Sequence, residues 1–164
     1  MDSLEFRVLS REDAGQIADW RYSGEYAIYD IAAEERESSI EYMLDPANGY
    51  FGAYRGAELV GFCSIGPDGR VPGWEYDESA VDVGAGMRPD LTGQGQGVAF
   101  LMQAFRFAGS RVGQESLRAT IASWNKRALT AAQHLGFAPV AAFRNPAGRP
   151  FTVLVRPGGR AEAP

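Results

Sequence analysis

The sequence predicts an α/β domain in which short strands alternate with amphipathic helices. Three observations carry this. Apolar and polar residues alternate over residues 4–9 and 116–122, the two-residue period of a half-buried strand. Past Gly97, the residues Val98, Leu101, Phe105, Ala108 and Val112 recur three and four apart, on one helical face. Two pairs of apolar runs are separated by turn residues: "GYFGAY" and "AELVGFCSIG" meet at Arg55 and Gly56, and "PVAAFR" and "FTVLVR" flank "NPAGRP". Both read as antiparallel strand pairs.

In chain order, a first strand over residues 4–9 leads to a helix that starts at Ser10, with Asp13 three places on, and carries Ala14, Ile17 and Trp20 at helical spacing. An aromatic segment, "WRYSGEYAIYD", follows, and then an acidic helix over residues 34–44, closed by Asp45 and Pro46. After the first hairpin, "PDGRVPG" is a loop. The strand "AVDVGAGM" has two internal glycines, the mark of a bulge or of a close approach to the backbone. After the long helix and the strand at residues 116–122, Asn125 caps a helix running to about Leu135, which Gly136 stops.

With 164 residues the chain is expected to be one domain, residues 1–156, followed by a disordered tail at residues 157–164. No stretch has the pattern of a signal peptide, and no apolar run approaches the ~18 residues of a membrane span, so a cytoplasmic protein with no membrane partner is expected. The single cysteine, Cys63, has no intrachain partner and reads as a small buried hydrophobe. A net charge of -5 with no basic tract argues against nucleic acid as a partner and fits a cationic or neutral acceptor better.

Gly93, Gly95 and Gly97 stand two residues apart at the start of a helix, a costly sequence for that position. A helix N-terminus exposes unpaired N–H groups and about half a positive charge, so a glycine-rich entry is a natural anion cradle. The nucleotide P-loop is excluded because Val98 and Ala99, not Lys and Ser or Thr, follow Gly97. The dinucleotide fingerprint is excluded because Phe100 stands where a small residue is needed.

The stretch Thr92, Gly93, Gln94, Gly95, Gln96, Gly97 resembles motif A of the GNAT superfamily of N-acyltransferases, Gln/Arg-x-x-Gly-x-Gly/Ala. "VGAGMRPDLTG" matches the strand and proline turn that precede that motif. Asn125, Ala128, Gly136 and Phe137 match a second motif in the family's order and spacing. The resemblance extends over the order of strands and helices from end to end. It implies a GNAT fold, a mixed and mostly antiparallel sheet of about seven strands flanked by about four helices. It further implies an N-acetyltransferase that moves an acetyl group from acetyl-CoA, as cosubstrate, to an amine of a small molecule or of a peptide or protein, by direct attack in a ternary complex, in a monomer or homodimer.

On that resemblance the pantetheine lies in a cleft between the strand ending at Met87 and the strand ending near Ser123. The pyrophosphate sits on the N–H groups of residues 94–98, Met87 backbone binds the pantetheine, and Asn125 flanks the thiol. The cofactor-binding set is Met87, Thr92, Gly93, Gln94, Gly95, Gln96, Gly97, Val98 and Asn125. Two departures stand out. Thr92 replaces the family's Gln or Arg, and Ala132 stands where a tyrosine commonly protonates the leaving thiolate. The second departure motivates an alternative, a CoA-binding sensor or degenerate module without turnover.

An amine must lose a proton to attack a thioester, so a base or a water chain is expected near Met87. Asp82 is the candidate base; strict alternation puts it on the face opposite Met87 unless a bulge at Gly84 or Gly86 intervenes. The aromatic residues Trp20, Tyr22, Tyr26, Tyr29, Trp74 and Tyr76 fall in two segments that would border the acceptor, and Tyr29 and Tyr26 are the candidate acids. His134, in the last turn of its helix, reads as a structural cation, and no residue group has metal-ligand spacing.

Overall fold

A computed structural model describes residues 1–159; the last part of the predicted tail, residues 160–164, lies outside the described residues. The strands are β1 (Glu5–Arg7), β2 (Tyr50–Arg55), β3 (Glu58–Ile65), β4 (Val81–Met87), β5 (Leu117–Ala122), β6 (Ala138–Arg144) and β7 (Pro150–Arg156). The helices are α1 (Arg11–Asp19), α2 (Arg36–Leu44), α3 (Gly97–Val112) and α4 (Lys126–His134). One sheet joins all the strands in the order β1-β2-β3-β4-β5-β7-β6, antiparallel throughout except between β4 and β5. This is the mixed, mostly antiparallel seven-stranded sheet with four helices that the sequence led one to expect.

Local chemistry accounts for the element ends. The Ser10 hydroxyl accepts from the Asp13 N–H at 3.1 Å, and the Asn125 side chain accepts from the Ala128 N–H at 3.2 Å, so both predicted caps form. β1 is shorter than its alternation suggested. The chain turns after Arg7, leaving Val8 exposed and placing Leu9 beneath α1 with Ala14 and Ile17, because α1 needs an apolar anchor at its base. The first hairpin turns at Gly56 and Ala57 rather than at Arg55, which pairs with Glu58. At the other end, the Gly158 N–H donates to the Ser116 hydroxyl at 2.9 Å, so the chain just past β7 is tied to the start of β5.

The helices divide between the faces of the sheet. α3 and α4 bury Ala104, Phe105, Ala108, Ala128 and Ala132 against Cys63, Val83, Leu117 and Ala119. α1 and α2 bury Ile17, Ala18, Ile40 and Met43 against Tyr54 and Leu59 on the opposite face. Burying one such side chain contributes roughly 1.5–3 kcal/mol, so these two clusters fix which face each helix covers. No described helix is long and apolar enough to cross a membrane.

Candidate active site

The site grows from the one parallel pairing in the sheet. β4 and β5 pair at Val81 with Leu117 and at Asp82 with Arg118, and then part. Each continues with its other neighbour, β4 with β3 as far as Met87 and β5 with β7 as far as Ala122. Two strands that share one end and diverge at the other enclose a wedge, open toward Met87 and Ala122.

The glycine loop closes one end of that wedge. From Met87 the chain makes a 3-10 turn at Pro89–Leu91, held by Arg88, whose guanidinium donates to the Leu59 carbonyl at 2.8 Å and pairs with Glu58 and Asp90. Gly93 and Gly95 each have φ of 75°, a left-handed conformation that a Cβ would oppose. Gly97 lies outside that region, and a methyl group there would meet only the Met87 side chain at 3.9 Å. Gln96, the residue before α3, makes no side-chain cap, and the first main-chain bond across the joint is Phe100 N–H to Gln96 O at 3.0 Å. Among the described residues, the N–H groups of residues 93–99 have no protein acceptor. A loop of unpaired donors at the head of a 16-residue helix has the donor arrangement that suits an anion.

The cradle's side chains turn away from it. The Thr92 hydroxyl donates to the Pro89 carbonyl at 2.6 Å, and the Gln94 amide donates to the Asp90 carbonyl at 2.8 Å. Both therefore stiffen the turn, and Thr92 cannot also donate to an anion without giving up its own bond.

The aromatic segment spans the mouth of the wedge. It forms a 3-10 helix, Gly24–Tyr29. The Tyr22 hydroxyl donates to the Met87 carbonyl at 2.7 Å, on the β4 side. The Tyr26 ring packs edge-on against Trp124 at 4.9 Å, on the β5 side. Tyr29 touches both flanks, edge-on to Tyr22 at 6.4 Å, with its hydroxyl against the Asn125 side chain. Burial raises the pKa of Tyr29, with Tyr26 adding to the rise and Asn125 opposing it; burial likewise raises that of Tyr22. Both phenols stay protonated at neutral pH.

Residues 14–137 match the sequence profile of the acetyltransferase (GNAT) family. The chain belongs to that family. No curated protein matches it by sequence. Among solved structures it resembles AAC(6')-Ib in complex with ribostamycin and coenzyme A, with a TM-score of 0.71 at 17% identity, covering 99% of this chain and 100% of that one. It also resembles a chimera of the Vibrio cholerae spermidine N-acetyltransferase SpeG and hSSAT, with a TM-score of 0.67 at 17% identity over 94% of both chains. A GNAT-family acetyltransferase from Bacillus anthracis gives 0.69 at 12% identity, again over 94% of both chains. At these identities the likeness is one of fold.

In this GNAT domain Asp82 occupies a different setting from the one its candidacy as a base required. It is 2% exposed, and its carboxylate accepts from the Arg118 guanidinium at 2.7 and 2.8 Å and from Arg70 at 2.9 Å. No bulge interrupts the β3–β4 register, so Asp82 keeps the face opposite Met87. The two β4 glycines serve their neighbours instead. A methyl on Gly86 would lie 2.5 Å from the Phe62 ring, and one on Gly84 would lie 2.7 Å from the Ser64 hydroxyl.

Arg118 was not legible as a functional or structural centre, since it sat at a polar position of an alternating strand. It is 1% exposed, beneath the rings of Trp74 and Tyr76, whose centroids lie 5.7 and 4.9 Å from its guanidinium carbon. The Tyr76 hydroxyl is 2.8 Å from that of Thr120 on β5. The long β3–β4 loop thus covers the face of β5 that α1 and α2 leave open. The signal available in the sequence was the run of Asp77, Glu78 and Asp82 between Arg70 and Arg118. Among the described residues no group of His, Cys, Asp or Glu could hold a metal ion.

Proposed function

We propose that this GNAT protein transfers an acetyl group from acetyl-CoA to an amine by direct attack in a ternary complex. The observation that carries the proposal is the joint between wedge and cradle. β4 leaves β5 after Asp82, and the unpaired N–H groups of residues 93–99 gather beside the end of that strand. Residues 94–98 hold the diphosphate, Met87 backbone takes the pantetheine, and Asn125 lies at the thiol side. Main-chain dipoles of β4 face the thioester carbonyl, where negative charge develops during attack. Acetyl-CoA supplies the activated acyl group.

With α3 and the cradle on one face of the sheet, the acceptor approaches from the face of α1 and α2. The solved complex of AAC(6')-Ib with ribostamycin and the spermidine specificity that SpeG is named for support an amine acceptor here. Both carboxylate oxygens of Asp82 are taken up by Arg118 and Arg70, so we assign deprotonation of the amine to water at the open mouth. Tyr29, with its hydroxyl against Asn125, is the better placed of the two candidate acids; the Tyr26 ring is taken up by Trp124.

The test is release of free thiol from acetyl-CoA across a panel of small amines and peptide N-termini. Amine-dependent release supports the proposal. CoA binding with no release for any amine would put the sensor reading, motivated by Ala132, in its place.

A further inference from the structure

A second charged locus lies on the acceptor face, away from the thioester. The 3-10 turn Pro67–Gly69 that follows β3 folds back on β4. The Gly66 N–H donates to the Asp82 carbonyl at 2.8 Å, and a methyl on Gly69 would lie 3.1 Å from the Val83 carbonyl carbon. The turn thereby holds Asp68 over the sheet face that carries Gly84 and Gly86. Asp68 is half-buried and faces the hydroxyls of Tyr42 and Tyr50. Both tyrosines have raised pKa values, from burial first and then from the Asp68 charge.

The neighbouring carboxylates are all matched. Asp82 has Arg118 and Arg70, Asp77 has Arg118, and Glu78 has Arg70. Asp68 differs. Among the described residues no arginine or lysine lies within ion-pair distance of it, and the groups that reach it are the hydroxyls of Tyr42 and Tyr50. Arg70, two residues on, turns away to Asp82 and Glu78.

An aromatic row leads from Asp68 along β2 and β3. Tyr42 lies edge-on to Tyr50 at 6.0 Å, Tyr50 meets Phe62 at 5.6 Å, and Phe62 stacks with Trp20 at 6.3 Å. Tyr42 is 41% exposed, and Phe62 lies over Gly86, beside the wedge. Ring faces attract cations, and a carboxylate that no arginine or lysine neutralises, at the end of such a row, completes a site for an ammonium group.

Resting on the acetyltransferase reading, we infer that Asp68, with Tyr42 and Tyr50, binds a second cationic group of the acceptor, so that the substrate class is a diamine or polyamine. The reacting amine lies at the wedge and the second ammonium lies at Asp68. Gly84, beneath the turn, and Met87, at the mouth, are three residues apart on β4, which at the strand rise sets a separation of roughly 10 Å between the two groups.

Isothermal titration of the CoA-loaded protein with α,ω-diamines of four to eight carbons, and with the matched monoamines, reads this site without turnover. At least one diamine binds ~10-fold tighter than its monoamine, as a charge-assisted contact requires. Asp68→Asn removes most of that preference, Asp68→Glu restores part of it, and CoA affinity stays as in the wild type. Equal binding of diamine and monoamine by the wild type, or an undiminished preference in Asp68→Asn, overturns the inference. Thiol-release rates separate the two readings: an Asp68-dependent preference without release keeps the cation site and removes the transferase activity.

Discussion

The hydroxyl of Tyr22 donates to the carbonyl of Met87 at 2.7 Å, across the mouth of the wedge between β4 and β5. Met87 is the backbone position proposed to take the pantetheine, so the Tyr22 hydroxyl competes with the cosubstrate for one carbonyl. A net hydrogen bond is worth about 0.5–1.5 kcal/mol, or roughly two- to tenfold in an equilibrium. Tyr22→Phe is therefore expected to tighten CoA binding by a few-fold in calorimetry. Weaker binding in the variant would mean that the tyrosine helps to hold the pantetheine.

The glycine loop separates two roles that the sequence alone could not. Gly93 and Gly95 need a left-handed backbone, so any side chain there strains the loop by about 1–2 kcal/mol whatever it does to a ligand. Gly97 has no such requirement and has open space around its Cα. Gly97→Glu should leave the melting temperature within about 3 °C of wild type while weakening CoA binding ~100-fold or more, through bulk and charge against the phosphates. Unchanged CoA affinity in a folded Gly97→Glu protein would remove the cradle from the mechanism.

Asp82 carries a stability prediction in place of a catalytic one. A buried pair that loses one partner leaves an uncompensated charge, a cost of about 3–5 kcal/mol. Asp82→Asn leaves Arg118 with Asp77 alone and Arg70 with Glu78 alone, so the free energy of unfolding measured in urea should fall by an amount in that range. Retained stability with a large loss of kcat would return Asp82 to the candidate bases.

The outline of the fold was legible because its signals are local. Ser10 and Asn125 cap from their own side chains, and the apolar stripe of α3 needs no partner to be seen. The loop before α3 was legible too, since three glycines at alternate positions mark a backbone that a helix would not otherwise begin with. What stayed hidden depends on pairing across the chain. Arg118 and Asp82 are 36 residues apart and meet only because β4 and β5 are parallel neighbours. Asp68, Tyr42 and Tyr50 come from a turn, a helix and a strand, and no spacing in the sequence joins them. The β4 glycines mark a close approach, as their place in a strand suggests, and the approaching groups are Phe62 and Ser64 of the neighbouring strand β3.

Ala132 shows why the missing tyrosine is not simply restored by mutation. It is fully buried in the core between α3, α4 and the sheet, beside Phe105 and Phe137. Overpacking a filled core costs typically 1–3 kcal/mol for a few added methylenes, and Ala132→Tyr adds a whole phenol ring. The variant should lose at least about 3 kcal/mol of stability in denaturant unfolding and gain no activity.

Proton donation then falls to the aromatic segment, where Tyr29 has the testable signature. Its pKa lies above the ordinary tyrosine value of about 10, because burial disfavours the phenolate and Tyr26 adds to this. An acid works in its protonated form, so its contribution is complete at neutral pH and is lost only as pH rises through that elevated pKa. A CoA thiolate is a tolerable leaving group unaided, its thiol resembling free cysteine with a pKa near 8.5. Tyr29→Phe should accordingly lower kcat by only ~10-fold, below the ~100-fold or more of an indispensable acid, with CoA affinity little changed. The wild type is expected to show an alkaline fall in kcat above about pH 10, and that fall should disappear in the variant. A Tyr29→Phe enzyme with the wild-type kcat and the same alkaline limb would leave protonation of the sulfur to water.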